Sequence, residues 1–170
     1  MSASQRGEAK LIGVVSDTHG HVAYTRQAGQ MLSALEVEAV LHCGDIGSPE
    51  IVPLFAAWPT HFVFGNVDYD VAELERAILA AGQHCHGRFG RFELAGRQIA
   101  LVHGDDFAAL ASAVEGGELD LVCTGHTHIA RQQRVGKTLV VNPGALYRAQ
   151  PHTLAIVDLE KLEATHIRVD

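Results

Sequence analysis

An α/β fold is predicted for this chain by three observations. Short β-branched runs alternate with stretches of helical apolar spacing in the first half. Each run closes on a glycine and a polar residue. The second half changes to strands joined by tight turns. Lys10 to Ser16 reads as a buried strand that ends at Asp17-Thr18-His19-Gly20. From Val22 to Leu35, the apolar residues Val22, Ala28, Met31, Leu32 and Leu35 fall on one helical face. Glu38 to His42 is a second strand, ending at Cys43-Gly44-Asp45. Pro49 suits a first helical turn and opens a short helix that stops before Pro59. Thr60 to Phe64 is a third strand, ending at Gly65-Asn66-Val67-Asp68, and a helix follows over Val71 to Ala80. This β-α-β-α-β-α order favours parallel strands with helices on the sheet faces.

Beyond it, Arg88 to Leu94 alternates in strand fashion and turns at Ala95-Gly96-Arg97 into Gln98 to His103. Phe107 to Val114 is helical and Leu119 to Cys123 is a strand. Ile129 to Val135 and Thr138 to Val141 form a hairpin around Gly136-Lys137. Thr153 to Leu159 and Leu162 to Val169 form another around Glu160-Lys161. No repeat or linker interrupts the chain, so residues 1–170 are expected to form one domain, with 1–9 a flexible N-terminal stretch.

The 170 residues suffice for a sizeable core, and the apolar fraction of 47% with 19% charged residues is ordinary for a globular protein. A net charge of −7 without a basic stretch argues against stable nucleic-acid binding, which needs clustered Lys and Arg. No apolar run approaches membrane-spanning length, and residues 1–10 lack the apolar core of a signal peptide. Cys43, Cys85 and Cys123 are far apart and form no Cys-x-x-Cys, so a reducing, cytoplasmic location is expected.

The position of the polar side chains is informative. Asp17 and His19 follow the first strand, Asp45 the second and Asn66 the third. His103 ends a strand of the second half, and His126 and His128 follow the next. Ligands of open α/β sheets bind at the carboxyl ends of strands. Gly44-Asp45 or Gly65-Asn66 alone would be an ordinary turn; the ordered series is what points to a site. Two carboxylates, one amide oxygen and four imidazoles are too many for a tetrahedral metal site with an open position. They suit two adjacent ions sharing a carboxylate, the arrangement that lowers the pKa of a water and cleaves phosphoesters.

Asp17-x-His19, Gly44-Asp45, Gly65-Asn66, His103 and Gly125-His126-x-His128, in this order, resemble the calcineurin-like metallophosphoesterase superfamily. "SDTHG", "GNVD", "VHGD" and "NPGA" are similar to its small prokaryotic phosphodiesterase branch, whose fold the eukaryotic retromer scaffold subunit shares. The resemblance implies a four-layer α/β/β/α sandwich of two mixed sheets flanked by helices. It implies a first divalent ion on Asp17, His19 and His128, a second on Asn66, His103 and His126, and Asp45 bridging both. It also implies a hydroxide between the ions that attacks the phosphorus of a small phosphoester. Mn²⁺ is the expected ion, with Fe, Ni, Zn or Co as alternatives. Asp17, Asp45, Asn66 and His103 would position the ions, the phosphate and the hydroxide, and Asp68 and Asn142 are candidates for orienting the ligands.

A homodimer is plausible on the same resemblance. The alternative functions are a phosphomonoesterase and a non-catalytic scaffold of the retromer type; retention of all seven donors argues for the enzyme. Many superfamily members carry histidine after the Gly-Asn, where this chain has Val67, which cannot transfer a proton. That difference favours activated diesters. Relatives often have His-Gly-His where this chain has His103-Gly104-Asp105. His21, His42 and the His84-Cys85-His86 triplet are expected to be bystanders, His21 as a solvated loop residue and the triplet as a short strand or turn.

Overall fold

The computed structural model describes residues 10–169; the stretch 1–9 expected to be flexible lies outside the described residues. Two mixed sheets form its centre. In the first, β1 (Leu11–Val15), β2 (Ala39–His42), β3 (Thr60–Phe62) and β4 (His84–Cys85) run parallel. On the β1 side, β10 (His152–Asp158) pairs antiparallel with β1 and β11 (Glu163–Val169) antiparallel with β10, giving the order β11-β10-β1-β2-β3-β4. In the second, β5 (Phe89–Leu94), β6 (Arg97–Val102), β7 (Leu121–Cys123), β8 (Ala130–Val135) and β9 (Thr138–Pro143) take the order β5-β6-β7-β9-β8. There β6, β7 and β9 run parallel, and β5 and β8 antiparallel to their neighbours.

Period-2 patterning separates the layers. Ile12, Val14, Leu41, Ile99, Leu101, Leu121, Val141 and Val157 are buried between the sheets. On the outer face of the first sheet, Val15, Val40 and Phe62 pack on α1 (Val22–Ala34), α2 (Val71–Ala80) and a 3-10 helix (Pro49–Phe55) through Leu32, Ile78, Ile51 and Phe55. On the outer face of the second, Ala100, Val102 and Val122 pack on α3 (Phe107–Glu115) through Ala113, with Leu110 alongside. The result is the expected α/β/β/α sandwich. Gly13 lets α1 approach β1, since a Cβ there would sit 2.5 Å from Leu32 Cδ2.

The strands and helices fall where patterning places them, within a residue or two at most ends. The 49–55 segment winds as a 3-10 helix with Pro53 inside it. Proline lacks the N–H that an α-helical ladder needs, and short 3-10 pieces are common connectors. The second hairpin joins the first sheet, with Gly13 opposite Ile156, and so closes the chain against its own first strand.

Candidate metal centre

The polar loops of the two sheets meet at one rim. Asp17 N–H donates to the Gly44 carbonyl (3.0 Å), His19 N–H to Asp45 (3.0 Å) and Gly125 N–H to His103 (2.8 Å), so the loops after β1, β2, β6 and β7 are mutually laced. The backbone is bent sharply there. Asp17, His19, Asp45, His126 and His128 all have positive φ, between 45° and 71°. Non-glycine residues rarely adopt this conformation, at about 1–3 kcal/mol each, and it persists where the surroundings over-determine it.

Asp17, His19 and His128 form a first cluster. His128 Nε2 is 3.1 Å from Asp17 Oδ1 and 3.3 Å from His19 Nε2, and His19 Nε2 is 3.6 Å from Asp17 Oδ1. His128 Nδ1 lies 3.0 Å from the Arg148 carbonyl. A carbonyl only accepts, so Nδ1 donates and the ring turns Nε2 toward Asp17. Asp17 Oδ2 accepts from Ser16 Oγ (2.5 Å) and from the His126 N–H (3.2 Å), whereas Oδ1 is buried with no hydrogen-bond partner. A buried carboxylate oxygen is not left unpaired without cost. Lone pairs facing one another around it fit a cation.

Asp45, His103 and Asn66 form a second cluster, with Asp17 close enough to join Asp45 and His103 about one ion. His103 Nδ1 donates to the Cys43 carbonyl at 2.8 Å, and Nε2 faces Asp45 Oδ2 at 3.2 Å and Asn66 Oδ1 at 3.0 Å. Asp45 Oδ2 is also 3.8 Å from His19 Nε2, so this carboxylate lies between the two clusters. Burial alone would lower the His103 pKa. The hydrogen bond with Asp45 and the charges of Asp17 and Asp45 outweigh it, so the ring holds its proton above the ordinary histidine range. For Asp45, burial pushes toward protonation. The His103 contact and the Val67 N–H bond outweigh it and hold the carboxyl below its ordinary value. Both shifts have one cause: the carboxylates of this cluster attract positive charge.

His126 is the looser member. Its backbone N–H is tied to Asp17, and its ring lies against that of His103 at 5.1 Å, 72° apart, outside the two tight groups. Asn66 is exposed and Asp17 fully buried, so the centre grades from interior to solvent.

Supporting groups surround these donors. Asp68 accepts from the N–H groups of Ile46 (3.2 Å), Gly47 (2.9 Å) and Gly65 (2.8 Å), which fixes the Asp45 turn against the Asn66 turn. Asn142 Nδ2 donates to the Gly125 carbonyl (2.8 Å) and Thr127 Oγ1 (3.0 Å), holding the histidine loop. Both are sequence candidates for orienting the ligands. Ser16 and the carbonyls of Cys43 and Arg148 were not legible: a carbonyl leaves no trace in side-chain identity. Val67 touches the site through its N–H alone, 3.1 Å from Asp45 Oδ1, and Asp105 pairs with Arg88 at 3.5 Å.

His21 is a correction to the solvated-loop expectation. It caps α1, its Nδ1 accepting from Tyr24 N–H at 3.3 Å, and is stacked between Tyr24 and Tyr147. His42 and the 84–86 triplet are structural as expected. His42 is buried, and His84 and His86 stack on His61, outside the two tight groups that the described residues form for an ion.

A four-layer sandwich with Asp, Asn and His gathered at one rim of its two sheets defines a metallophosphoesterase architecture. The family model of the calcineurin-like phosphoesterase superfamily domain matches residues 11–162, and the chain belongs to that superfamily. It is 30% identical over 161 residues to phosphodiesterase MJ0936 of Methanocaldococcus jannaschii, covering 92% of this chain and 97% of the relative. The structure of an archaeal phosphodiesterase superposes with a TM-score of 0.86 at 30% identity, over 93% of this chain and 99% of that one. The fold also matches Vps29 from Entamoeba histolytica complexed with zinc, with a TM-score of 0.61 at 16% identity over 94% and 99% of the two chains. Among the described residues no helix is long and apolar enough to cross a membrane.

Proposed function

We propose that this protein is a metal-dependent phosphodiesterase acting on a small phosphoester. The observation that carries the reading is Asp17 Oδ1, buried and unpaired while two imidazole nitrogens face it. Asp17, His19 and His128 would hold one divalent ion, and Asn66, His103 and His126 a second. Asp45, between the clusters, would serve both. Ions bound there supply an activated water near neutral pH and neutralise the phosphate's charge. Mn²⁺ is the proposed ion, as mixed oxygen and imidazole donors suit it, with Fe, Ni, Zn or Co as alternatives. The similarity to a phosphodiesterase at 30% identity supports the diester reading.

The chain's own groups do the positioning. The Cys43 and Arg148 carbonyls set the His103 and His128 tautomers, and the Val67 N–H orients Asp45. No proton donor stands at residue 67, which favours diesters whose leaving group is good enough to depart without one. The free cysteines support a reducing, cytoplasmic location. The test is hydrolysis of bis(p-nitrophenyl) phosphate by metal-free and Mn²⁺-reconstituted protein. Activity is expected only with the ion, and Asp45→Ala should lower kcat/KM more than ~100-fold. Undiminished turnover after chelation, or in that variant, defeats the reading.

A further inference from the structure

A cavity of about 250 Å³ opens on the outer face of the second sheet, beside the candidate centre. It begins at the loops that carry the donors: Gly104 follows His103, Gly125 precedes His126, and Thr127 stands between His126 and His128. It runs outward between the start of α3 and β8. Its floor is Leu110 and Val140. Its rim carries Phe107, the first residue of α3, 76% exposed, and Ile129, 67% exposed. Single exposed apolar residues are ordinary, but two large ones around one concave apolar surface mark a binding surface. The polar groups there are few and directed. Arg131 and Gln133 share the outward side of β8, with Arg131 Nη2 donating to Gln133 Oε1 at 3.0 Å. An aromatic wall, an aliphatic floor and a planar guanidinium are what a flat ring with a polar edge requires.

We infer that this cavity seats an aromatic or nucleoside-type arm of the phosphodiester, and specifically the arm that stays on phosphorus. The inference rests on the phosphodiesterase reading. Val67 offers no proton, so the departing oxygen leaves as an anion or takes a proton from solvent, and an apolar cavity is the wrong place for either. The retained arm carries no such demand. Among the described residues Arg131 is the sole cation lining the cavity, in a chain of net charge −7, which matches one ring rather than a track of nucleic-acid phosphates.

The test uses Mn²⁺-loaded protein with phenyl p-nitrophenyl phosphate and methyl p-nitrophenyl phosphate, which release the same p-nitrophenolate. The wild type should favour the phenyl ester about tenfold in kcat/KM, chiefly through KM, as burial of half a ring predicts. Phe107→Ala should remove that preference, lowering kcat/KM on the phenyl ester about tenfold more than on the methyl ester. Equal efficiency on the two esters, or equal losses on both in the variant, overturns the assignment. If neither ester is cleaved, the phosphodiesterase reading fails, and calorimetry decides the cavity separately. Phenyl phosphate should then bind the Mn²⁺-loaded protein more tightly than methyl phosphate, and lose that advantage in Phe107→Ala. Equal affinities in the wild type overturn the cavity's role.

Discussion

The Nδ1–H of His103 is bonded to the Cys43 carbonyl at 2.8 Å, and this one bond turns Nε2 toward Asp45, 3.2 Å away. This candidate donor is thus oriented by the carbonyl of Cys43, two residues before Asp45. His103→Gln places an amide where the ring was, and cannot reproduce both contacts. Bound Mn²⁺ should fall from about two ions per chain to about one, read by elemental analysis after gel filtration. Two ions retained in the variant would remove His103 from the ligand set.

Chelation should also destabilise the fold. Asp17 Oδ1 and the Nε2 atoms of His19 and His128 lie within 3.6 Å of one another, and a bound cation would sit between them. An ion at about a hundredfold its Kd adds ~2.7 kcal/mol, or roughly 5–10 °C in Tm for a chain of this size. Calorimetric scans with and without Mn²⁺ measure it, and coincident scans would refute it.

Asp68 supports the centre without joining it. Asp68→Ala would strip the acceptor from three N–H groups in the Asp45 and Asn66 turns. Roughly 2–4 kcal/mol of stability should be lost by urea titration, and Mn²⁺ affinity should drop about 10–100-fold. Asp68→Asn retains one acceptor oxygen and should lie between. A variant with wild-type Mn²⁺ affinity would show that the turns hold themselves.

Gly125 is required for space. A Cβ there would fall on Ser16 Oγ and lie 2.8 Å from Asp17 Oδ2. Gly125→Ala should push the histidine loop off Asp17 and lower Mn²⁺ affinity at least tenfold, with the far-ultraviolet circular dichroism spectrum unchanged. Wild-type affinity would mean that the loop yields freely.

His42 predicts an acid limb. Its Nδ1 accepts from Gly44 N–H (3.2 Å), its Nε2 lies 3.0 Å from Thr18 Oγ1, and that hydroxyl donates to the Ile46 carbonyl. Burial pulls its pKa down from 6.5 to about 4. The unfolded chain therefore binds a proton that the folded chain refuses between these values. Stability is full above about pH 6.5 and falls as pH drops toward 4, by at most ~3 kcal/mol from this residue. Urea midpoints of metal-free protein at pH 7 and pH 5 test this. The slope should be shallower in His42→Asn, and an identical slope would assign the acid limb to other groups.

The donors were legible because each follows a strand of a β-α-β series, and parallel strands bring their carboxyl ends to one edge. The layers were legible too, since residues such as Ile99 and Ala100 alternate between two cores. The 3-10 winding around Pro53 was not, because a proline-bearing segment that short is spaced alike in either helix.

The chain by itself marked the candidate donors: Asp17, His19, Asp45, Asn66, His103, His126 and His128, in an order that strand ends repeat. The tertiary structure decided how they face one another. It sent the last hairpin to the first sheet beside β1, a choice that an alternating strand pattern does not encode. It held five of the seven donors at positive φ, against their local preference, through hydrogen bonds between loops distant in sequence. It also assigned the ring protons of His103 and His128 to carbonyls. Side-chain identity and period are local properties that a sequence displays. Backbone strain, tautomer and sheet partner are settled by contacts across the fold, where packing outweighs propensity.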